Sequence, residues 1–108
     1  MARPWRLTPL AEDALAGIAA WTIRTFGPAR AESCERELIA RCRAISDGTA
    51  SVQDCSALVD GAGGLRFTRA GRHFVIFTEI GGEIVILDFL HGSMDLPRRL
   101  AAIPRAPG

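Results

Sequence analysis

The spacing of apolar residues changes once along this chain, and that change constrains the fold more than any other feature. Between residues 10 and 45 the apolar side chains recur every three or four positions, which is typical of amphipathic helices. From Leu65 onward they alternate along segments rich in β-branched and aromatic residues, which is typical of strands. Because the helices come first and the strands last, the sequence predicts an α+β fold.

Capping and turn-forming residues mark the ends of two predicted helices. Thr8 and Pro9 suit the N-cap and the first helical position, so we predict a first helix over Leu10–Phe26. Gly27-Pro28 ends it, and so short a break folds the second helix, Ala29–Ile45, back antiparallel. The predicted inward positions are Leu15, Ile18, Trp21, Thr22 and Phe26 in the first helix, and Ala31, Cys34, Leu38, Cys42 (or Arg41) and Ile45 in the second.

Three strands joined by short turns follow a glycine-containing loop over Ser46–Gly64. The predicted strands and the turns between them are Leu65–Thr68, a turn at Ala70-Gly71, His73–Ile80, a turn at Gly81-Gly82, and Glu83–Leu90. Turns this short predict an antiparallel meander. Both faces of His73–Ile80 are largely apolar, which predicts that this strand is central in the sheet.

Shorter elements complete the predicted architecture. Trp5–Leu7 predicts a strand that opens the sheet, Ser93–Ile103 predicts a short terminal helix, and Pro104 and Pro107 predict a frayed tail. A chain of 108 residues suits a single domain with one sizeable core. We therefore predict one domain over residues 1–108, with an N-terminal strand, a helical hairpin packed on one face of a β-meander, and a short C-terminal helix.

Arginine supplies every strongly basic side chain in the sequence. All 13 are Arg, and the chain contains neither Lys nor Tyr, so it has no lysine nucleophile and no tyrosine general acid or base. The net charge of +1 argues against non-specific coating of nucleic acid. One segment, Gly61–Thr78, is nevertheless locally basic, since it holds Arg66, Arg69, Arg72 and His73 and no acidic residue.

Several absences predict a cytoplasmic protein. The apolar run around Ile84–Leu87 is far shorter than the roughly 20 residues of a membrane span, and Met1–Arg6 lacks the apolar core of a signal peptide. The three cysteines, Cys34, Cys42 and Cys55, lack the spacing of metal ligands, so we expect reduced and mostly buried thiols. We expect no metal, no cofactor and no membrane partner.

Short motifs along the chain resemble one protein family, in the same order and at similar spacing. Ile86–Pro97, which reads ILDFLHGSMDLP, is similar to the segment that closes the meander in ParE-type toxins of the RelE/ParE superfamily. Gly64–Phe67 followed by Gly71–Phe77 resembles the strand pair of that family. Arg6–Leu15 resembles its opening segment, and Phe26-Gly27 stands where its first helix ends. The resemblance covers about residues 5–100.

This resemblance implies the toxin of a type II toxin–antitoxin module, of the kind that stabilises plasmids. A co-expressed antitoxin, here ParD-like with a ribbon-helix-helix domain, would form a hetero-oligomer with the toxin, and the toxin would meet DNA only through that antitoxin. ParE-type members are associated with inhibition of DNA gyrase, whereas RelE-type members cleave mRNA on the ribosome. A non-toxic interaction module of the same fold is a third interpretation, because likeness of fold alone does not choose among them.

The available side chains favour a toxin that acts by binding. Cleavage of RNA through its 2′-OH needs a proton acceptor, a proton donor for the leaving oxygen and cations for the phosphate. In the absence of Lys and Tyr, the remaining catalytic candidates are Arg66, His73 and His91, with Glu79 or Glu83 as a base. A structural role is favoured for both histidines, so the sequence assigns no catalytic residue.

The candidate residues for contact with the antitoxin or the target lie on the predicted strands or near their ends. They are Arg66, Arg69, Arg72, Trp5, Met94 and Asp95. Arginine suits an acidic partner because it pairs bidentately with carboxylates. Arg66 and Arg72 are equally suited to a direct contact with gyrase and to binding backbone carbonyls or acidic antitoxin residues at a sheet edge. Trp21 and Phe26 are further anchor candidates, with core packing favoured for Trp21, and Met94 is favoured as a filler of the core. We expect the antitoxin to place a helix between the layers or an extended segment on an edge strand.

Overall fold

The computed structural model describes residues 2–103 and has the predicted elements in the predicted order, with one short strand added between the second helix and the meander. The elements are β1 (Trp5–Leu7), α1 (Pro9–Phe26), α2 (Pro28–Asp47), β2 (Gln53–Asp54), β3 (Arg66–Ala70), β4 (His73–Ile80), β5 (Glu83–His91) and α3 (Leu96–Ala101). The fold class is therefore confirmed as α+β. The terminal helix is shorter than predicted, and the predicted tail with Pro104 and Pro107 lies outside the described residues.

The sheet has five strands in the order β1-β5-β4-β3-β2. Strands β3, β4 and β5 form the predicted antiparallel meander. The first strand pairs with β5 in parallel, with Trp5 opposite Ile84 and Leu7 opposite Ile86, so the sheet is mixed. The sequence predicted the strand β1 but not its partner or its direction.

The helical hairpin forms where the capping residues predicted it. The Thr8 side chain accepts a hydrogen bond from the Ala11 amide at 3.2 Å, and Pro9 occupies the first turn of α1. Gly27 then adopts a φ of 94°, which a residue with a Cβ rarely reaches, and Pro28 opens α2. The two helices pack against each other and together cover one face of the sheet.

Both faces of the sheet are buried, which gives the molecule two apolar layers. The layer under the hairpin is built from Ala11, Leu38, Cys42, Ile45, Ala70, Val75, Phe77, Ile84, Ile86 and Phe89. The layer on the opposite face includes Cys55, Leu65, Phe67, Phe74, Ile76, Val85, Leu87, Leu90, Leu100 and Ile103. The segment after β2 and α3 therefore covers the face that the hairpin leaves open.

The prediction of a plain loop over Ser46–Gly64 was wrong in part. Helix α2 continues to Asp47, a short strand forms at Gln53–Asp54, and a 3₁₀ turn follows at Cys55–Ala57. Composition hid this order because only a few apolar residues pin the segment, among them the fully buried Cys55. The residue that organises the turn is Asp54, whose carboxylate accepts from the amides of Ser56 and Gly64.

The prediction that Trp21 and Phe26 face the core was also wrong. Their exposed fractions are 54% and 58%, whereas Ala11 and Thr22 of the same helix are buried. Successive residues of a helix are rotated by about 100° around its axis, so Trp21 points well away from the direction in which Thr22 is buried. Phe26 is the last residue of α1, next to the turn at Gly27.

The packing predicts that truncating a buried and a half-exposed aliphatic side chain of the hairpin lowers the free energy of unfolding by very different amounts. Leu38 is 1% exposed beneath the hairpin, so Leu38→Ala is expected to lower the free energy of unfolding by about 2–5 kcal/mol. The control Ile23→Ala removes a half-exposed side chain of α1 and is expected to change it by less than about 0.5 kcal/mol. Urea unfolding followed by circular dichroism measures both, and equal effects would contradict the assigned core.

Candidate functional site

A groove separates α1 from the end of β5, and we call it the α1–β5 groove. Its volume is about 480 Å³, and its α1 wall consists of Ala14, Gly17, Ile18 and Trp21. The sheet side presents His73, Asp88, Phe89 and His91, and the segment after β5 adds Ser93, Met94 and Arg99. Small residues in α1 leave this space open, since a Cβ added at Gly17 would meet no atom within 4 Å.

Exposed aromatic rings extend the apolar surface beyond the groove. Trp21 stands on the groove wall, and its ring centroid lies 5.8 Å from that of Phe26 in an edge-to-face arrangement. The guanidinium of Arg30, on α2, lies 5.4 Å from the Phe26 ring centroid. The result is an apolar strip from the groove to the hairpin turn, with the Arg30 guanidinium at its hairpin end.

Two histidines face each other where β4 begins and β5 ends. His73 and His91 are paired across the strands, with ring centroids 5.2 Å apart at an interplanar angle of 78°. The Ser93 amide donates to Nδ1 of His91 at 3.0 Å, and that nitrogen also lies 2.7 Å from Oγ of Ser93. Burial and, secondarily, the neighbouring His91 lower the pKa of His73, while Glu37 opposes them. Both effects favour the neutral form of the His73 imidazole.

A buried carboxylate that sequence reasoning missed lies on the floor of the groove. Asp88 is 5% exposed, and its Oδ1 accepts a hydrogen bond of 2.8 Å from the Phe89 amide. Burial raises the pKa of Asp88, and both that hydrogen bond and nearby Arg99 act against the rise. The available signal was one acidic residue inside the apolar run Ile84–Leu90.

The arginines of the basic segment point to different surfaces. Arg66 lies over the Phe77 ring at 5.3 Å and 3.5 Å from the carboxylate of Glu79. Arg69 lies over the Phe74 ring at 5.2 Å, which belongs to the opposite apolar layer. The register explains this, because residues three apart in a strand face opposite sides of the sheet.

The remaining candidates of the sequence analysis have defined places as well. Arg72 is exposed in the β3–β4 turn, where its carbonyl accepts from the Gly92 amide at 3.1 Å. Trp5 is half-buried against the layer under the hairpin, and Met94 is half-buried against the other layer. Asp95 caps α3 by accepting from the Arg98 amide at 3.3 Å.

The catalytic candidates do not converge on one point. Arg66 and His73 lie at opposite ends of the β3–β4 ladder, since Arg66 pairs with Phe77. The four positions from Phe77 to His73 span about 13 Å at about 3.3 Å per residue. Among Arg66, His73 and His91 the structure brings together the two histidines, while Arg66 lies 3.5 Å from the candidate base Glu79, at the other end of the ladder.

Thiols and carboxylates give no metal centre in residues 2–103, where no three His, Cys, Asp or Glu side chains are grouped to hold an ion. Cys42 and Cys55 are buried, and burial raises the pKa of the Cys42 thiol to about 12. Within the same residues, no helix is both long enough and apolar enough to cross a lipid bilayer.

Comparison with known proteins agrees with this architecture. Residues 5–96 match the family model described as ParE toxin of type II toxin-antitoxin system, parDE. The chain belongs to the ParE toxin family. A solved structure described as the chromosomal ParDE TA system from P. aeruginosa has the same fold, with a TM-score of 0.67, 18% identity, and coverage of 83% of this chain and 96% of that chain. No curated protein sequence matches this toxin.

Neutral His73 predicts a pH dependence of stability. Its pKa in the folded protein lies below the ordinary value of about 6.5, so the unfolded chain binds more protons as the pH falls below that value. Stability contributed by neutral His73 is therefore present above about pH 6.5 and is lost as the pH falls through the folded pKa.

Replacing this imidazole removes that dependence. His73→Gln is expected to show a smaller loss of unfolding free energy than the wild type between about pH 6.5 and pH 5. Urea unfolding at several pH values measures the difference. An unchanged slope in the variant, or a slope of opposite sign in the wild type, would contradict the burial of His73.

Proposed function

We propose that this ParE-family toxin inhibits bacterial growth by binding DNA gyrase, and that a ParD-like antitoxin neutralises it by occupying the α1–β5 groove. The observation that carries the proposal is an open apolar groove joined to the exposed rings of Trp21 and Phe26. Exposed aromatic rings beside an apolar cleft are typical of protein–protein contact sites. The side chains that stay exposed around the groove are therefore suited to binding another protein.

The groove fits one apolar segment of an antitoxin. Its α1 wall is lined by small and apolar side chains, so it can receive apolar side chains spaced along an amphipathic or extended segment. Trp21 supplies a large ring with little side-chain entropy to lose, which suits an anchor in a hot spot. Arg30 and Arg99 flank the apolar strip and favour acidic residues in the antitoxin segment.

The placement of the basic side chains supports a toxin that binds its target and does not catalyse a reaction on it. Arg66 is engaged by Glu79, and Arg69 and Arg72 are exposed near the opposite end of the β3–β4 hairpin. The absence of Lys and Tyr from the sequence removes two residue types that serve in ribosome-dependent nucleases. We propose that Arg69 and Arg72 contact gyrase, because their guanidiniums are available for bidentate pairing.

Purified toxin is expected to inhibit supercoiling by gyrase. Arg72→Ala removes one exposed guanidinium and is expected to raise the concentration for half-inhibition by about fivefold or more. Arg36→Ala, which removes an exposed guanidinium on α2, is the matched control and is expected to match the wild type within about twofold. Unimpaired supercoiling at saturating wild-type toxin, with new cuts in translated mRNA, would instead establish a ribosome-dependent interferase.

The antitoxin is expected to lose most of its affinity when the groove loses its anchor. Trp21→Ala is expected to weaken binding by about thirtyfold, which is the ordinary effect of removing a tryptophan hot spot. Ile23→Ala removes an exposed apolar side chain of the same helix that does not line the groove, so it should bind within about threefold of the wild type. Titration calorimetry with the cognate antitoxin measures both, and equal losses would place the antitoxin elsewhere.

A further inference from the structure

An irregularity in the β4–β5 ladder brings the two histidines of the chain together. In the register that holds over residues 77–80, His73 would stand opposite Leu90. The shift next to Phe77 inserts one residue into β5, and His73 stands opposite His91 instead. Directly opposed residues of neighbouring strands carry their side chains on the same face of the sheet. The two imidazoles therefore lie side by side at the end of the sheet.

The distance between the two rings is the one that a shared metal ion requires. Zinc lies about 2.0–2.1 Å from an imidazole nitrogen, which is itself about 1.15 Å from the ring centroid, so the ion is about 3.2 Å from each centroid. At the tetrahedral angle of about 109°, two such centroids are about 5.2 Å apart. The centroids of His73 and His91 are 5.2 Å apart, and the interplanar angle of 78° means that the rings are not stacked. The strands already hold the rings at the separation of a two-imidazole site.

The hydrogen bonds of His91 determine which of its nitrogens an ion can bind. Its Nδ1 accepts from the Ser93 amide at 3.0 Å, which leaves Nε2 for the ion. When an ion binds there, Nε2 releases its proton and Nδ1 takes one up, so the imidazole stays neutral. Oγ of Ser93, 2.7 Å from Nδ1, can accept the new N–H and so fix the orientation of the ring.

The charges around the pair favour a cation. Oε1 of Glu37 lies 3.7 Å from the point where a Cβ would stand on Gly71, and its negative charge also acts on His73. Arg99, which lines the same groove, acts on the carboxylate of Asp88, so an opposite charge accompanies it. Burial and the neighbouring imidazole lower the pKa of His73, so near neutral pH its ring keeps the lone pair that a metal ion needs.

We propose that His73 and His91 together bind one divalent transition-metal ion, such as Zn²⁺, whose remaining coordination positions are filled by water. Imidazole nitrogen suits zinc, copper and nickel, whereas magnesium and calcium select oxygen ligands. Both histidines are half-buried and line the α1–β5 groove, so water can reach the ion. Two protein ligands make a weaker site than the three or four of catalytic and structural centres, so we expect a dissociation constant on the order of 10 µM.

This site departs from the expectation of no metal, which came from the spacing of the cysteines. The two histidines stand in different strands, and no spacing along the chain indicates that they meet. A pair of imidazoles is also smaller than the groups of three or more ligands that residues 2–103 lack. The site needs neither gyrase nor an antitoxin, so it is independent of the proposed function.

Titration of zinc into the free toxin tests the site. The sample is toxin without a polyhistidine tag, because such a tag binds the ion itself. Isothermal titration calorimetry with ZnCl₂ is expected to show one ion per chain, and MgCl₂ at the same concentrations is expected to show no binding. One zinc ion for every two chains would overturn the proposal, because the ion would then lie between two copies.

Three variants identify the ligands. His73→Gln and His91→Gln each remove one imidazole and are expected to weaken zinc binding at least about tenfold. Cys34→Ser is the control, since Cys34 is a half-buried thiol and thiolates also bind zinc, and it is expected to match the wild type within about twofold. Unchanged affinity in both histidine variants, or a tenfold loss in Cys34→Ser, would overturn the proposal.

NMR of the wild type tests the same ligands without any variant. Zinc is expected to shift ring-nitrogen resonances of His73 and His91 along one binding curve and to leave the indole signal of Trp5, which does not line the groove, in place. Shifts at only one histidine would overturn the site. Zinc binding by a toxin that leaves gyrase active would support the site and refute only the proposed function, whereas inhibition of gyrase by a toxin that binds no zinc would do the reverse.

Discussion

The pairing of β4 with β5 is the interaction on which the rest of the structure depends. Every residue from Ile84 to Leu90 is buried, so β5 supplies side chains to both apolar layers at once. The hairpin packs on one of these layers and α3 on the other, while β1 pairs with the outer edge of β5. Removing the strand would leave both layers without their common support. Its irregularity opposite Ile76 then sets which backbone groups face outward at its far end.

The length of β1 determines how much of the β5 edge stays uncovered. Pro9 begins α1 directly after Thr8, so the strand covers only part of β5. The chain leaves the sheet there and returns overhead as α1, whose small residues at Ala14 and Gly17 leave a cleft. An edge with uncovered amides would promote aggregation, and the side chain of Asp88 occupies one of them. The same local arrangement therefore covers one amide of the edge and leaves an apolar cleft beside it.

The candidate site was only partly predictable from the sequence. Alternation along β3 was sufficient to place Arg66 and Arg69 on opposite faces, since they are three residues apart, yet their shared segment suggested a single basic patch. The exposure of Trp21 was not predictable, because a helical stripe gives the spacing of its members and leaves undetermined which neighbour covers each one. Asp88 was missed for a related reason. A carboxylate within a buried strand is accommodated by a local hydrogen bond and an irregular register that no pattern of apolar residues encodes.

What the sequence by itself determined is the helical hairpin, the strands β1, β3, β4 and β5, the order of these elements, and the family to which the chain belongs. Local backbone geometry determines the effects of Thr8, of the Gly27-Pro28 break and of the short turns in the meander. These effects could therefore be predicted without the rest of the chain. Only the tertiary structure decided that β1 runs parallel to β5, that its coverage ends at Ile86, and that His73 meets His91 beside the groove. These features join residues far apart along the chain. Such features depend on which surfaces stay uncovered once the elements have packed. Local propensity does not predict them, because it describes each segment by itself.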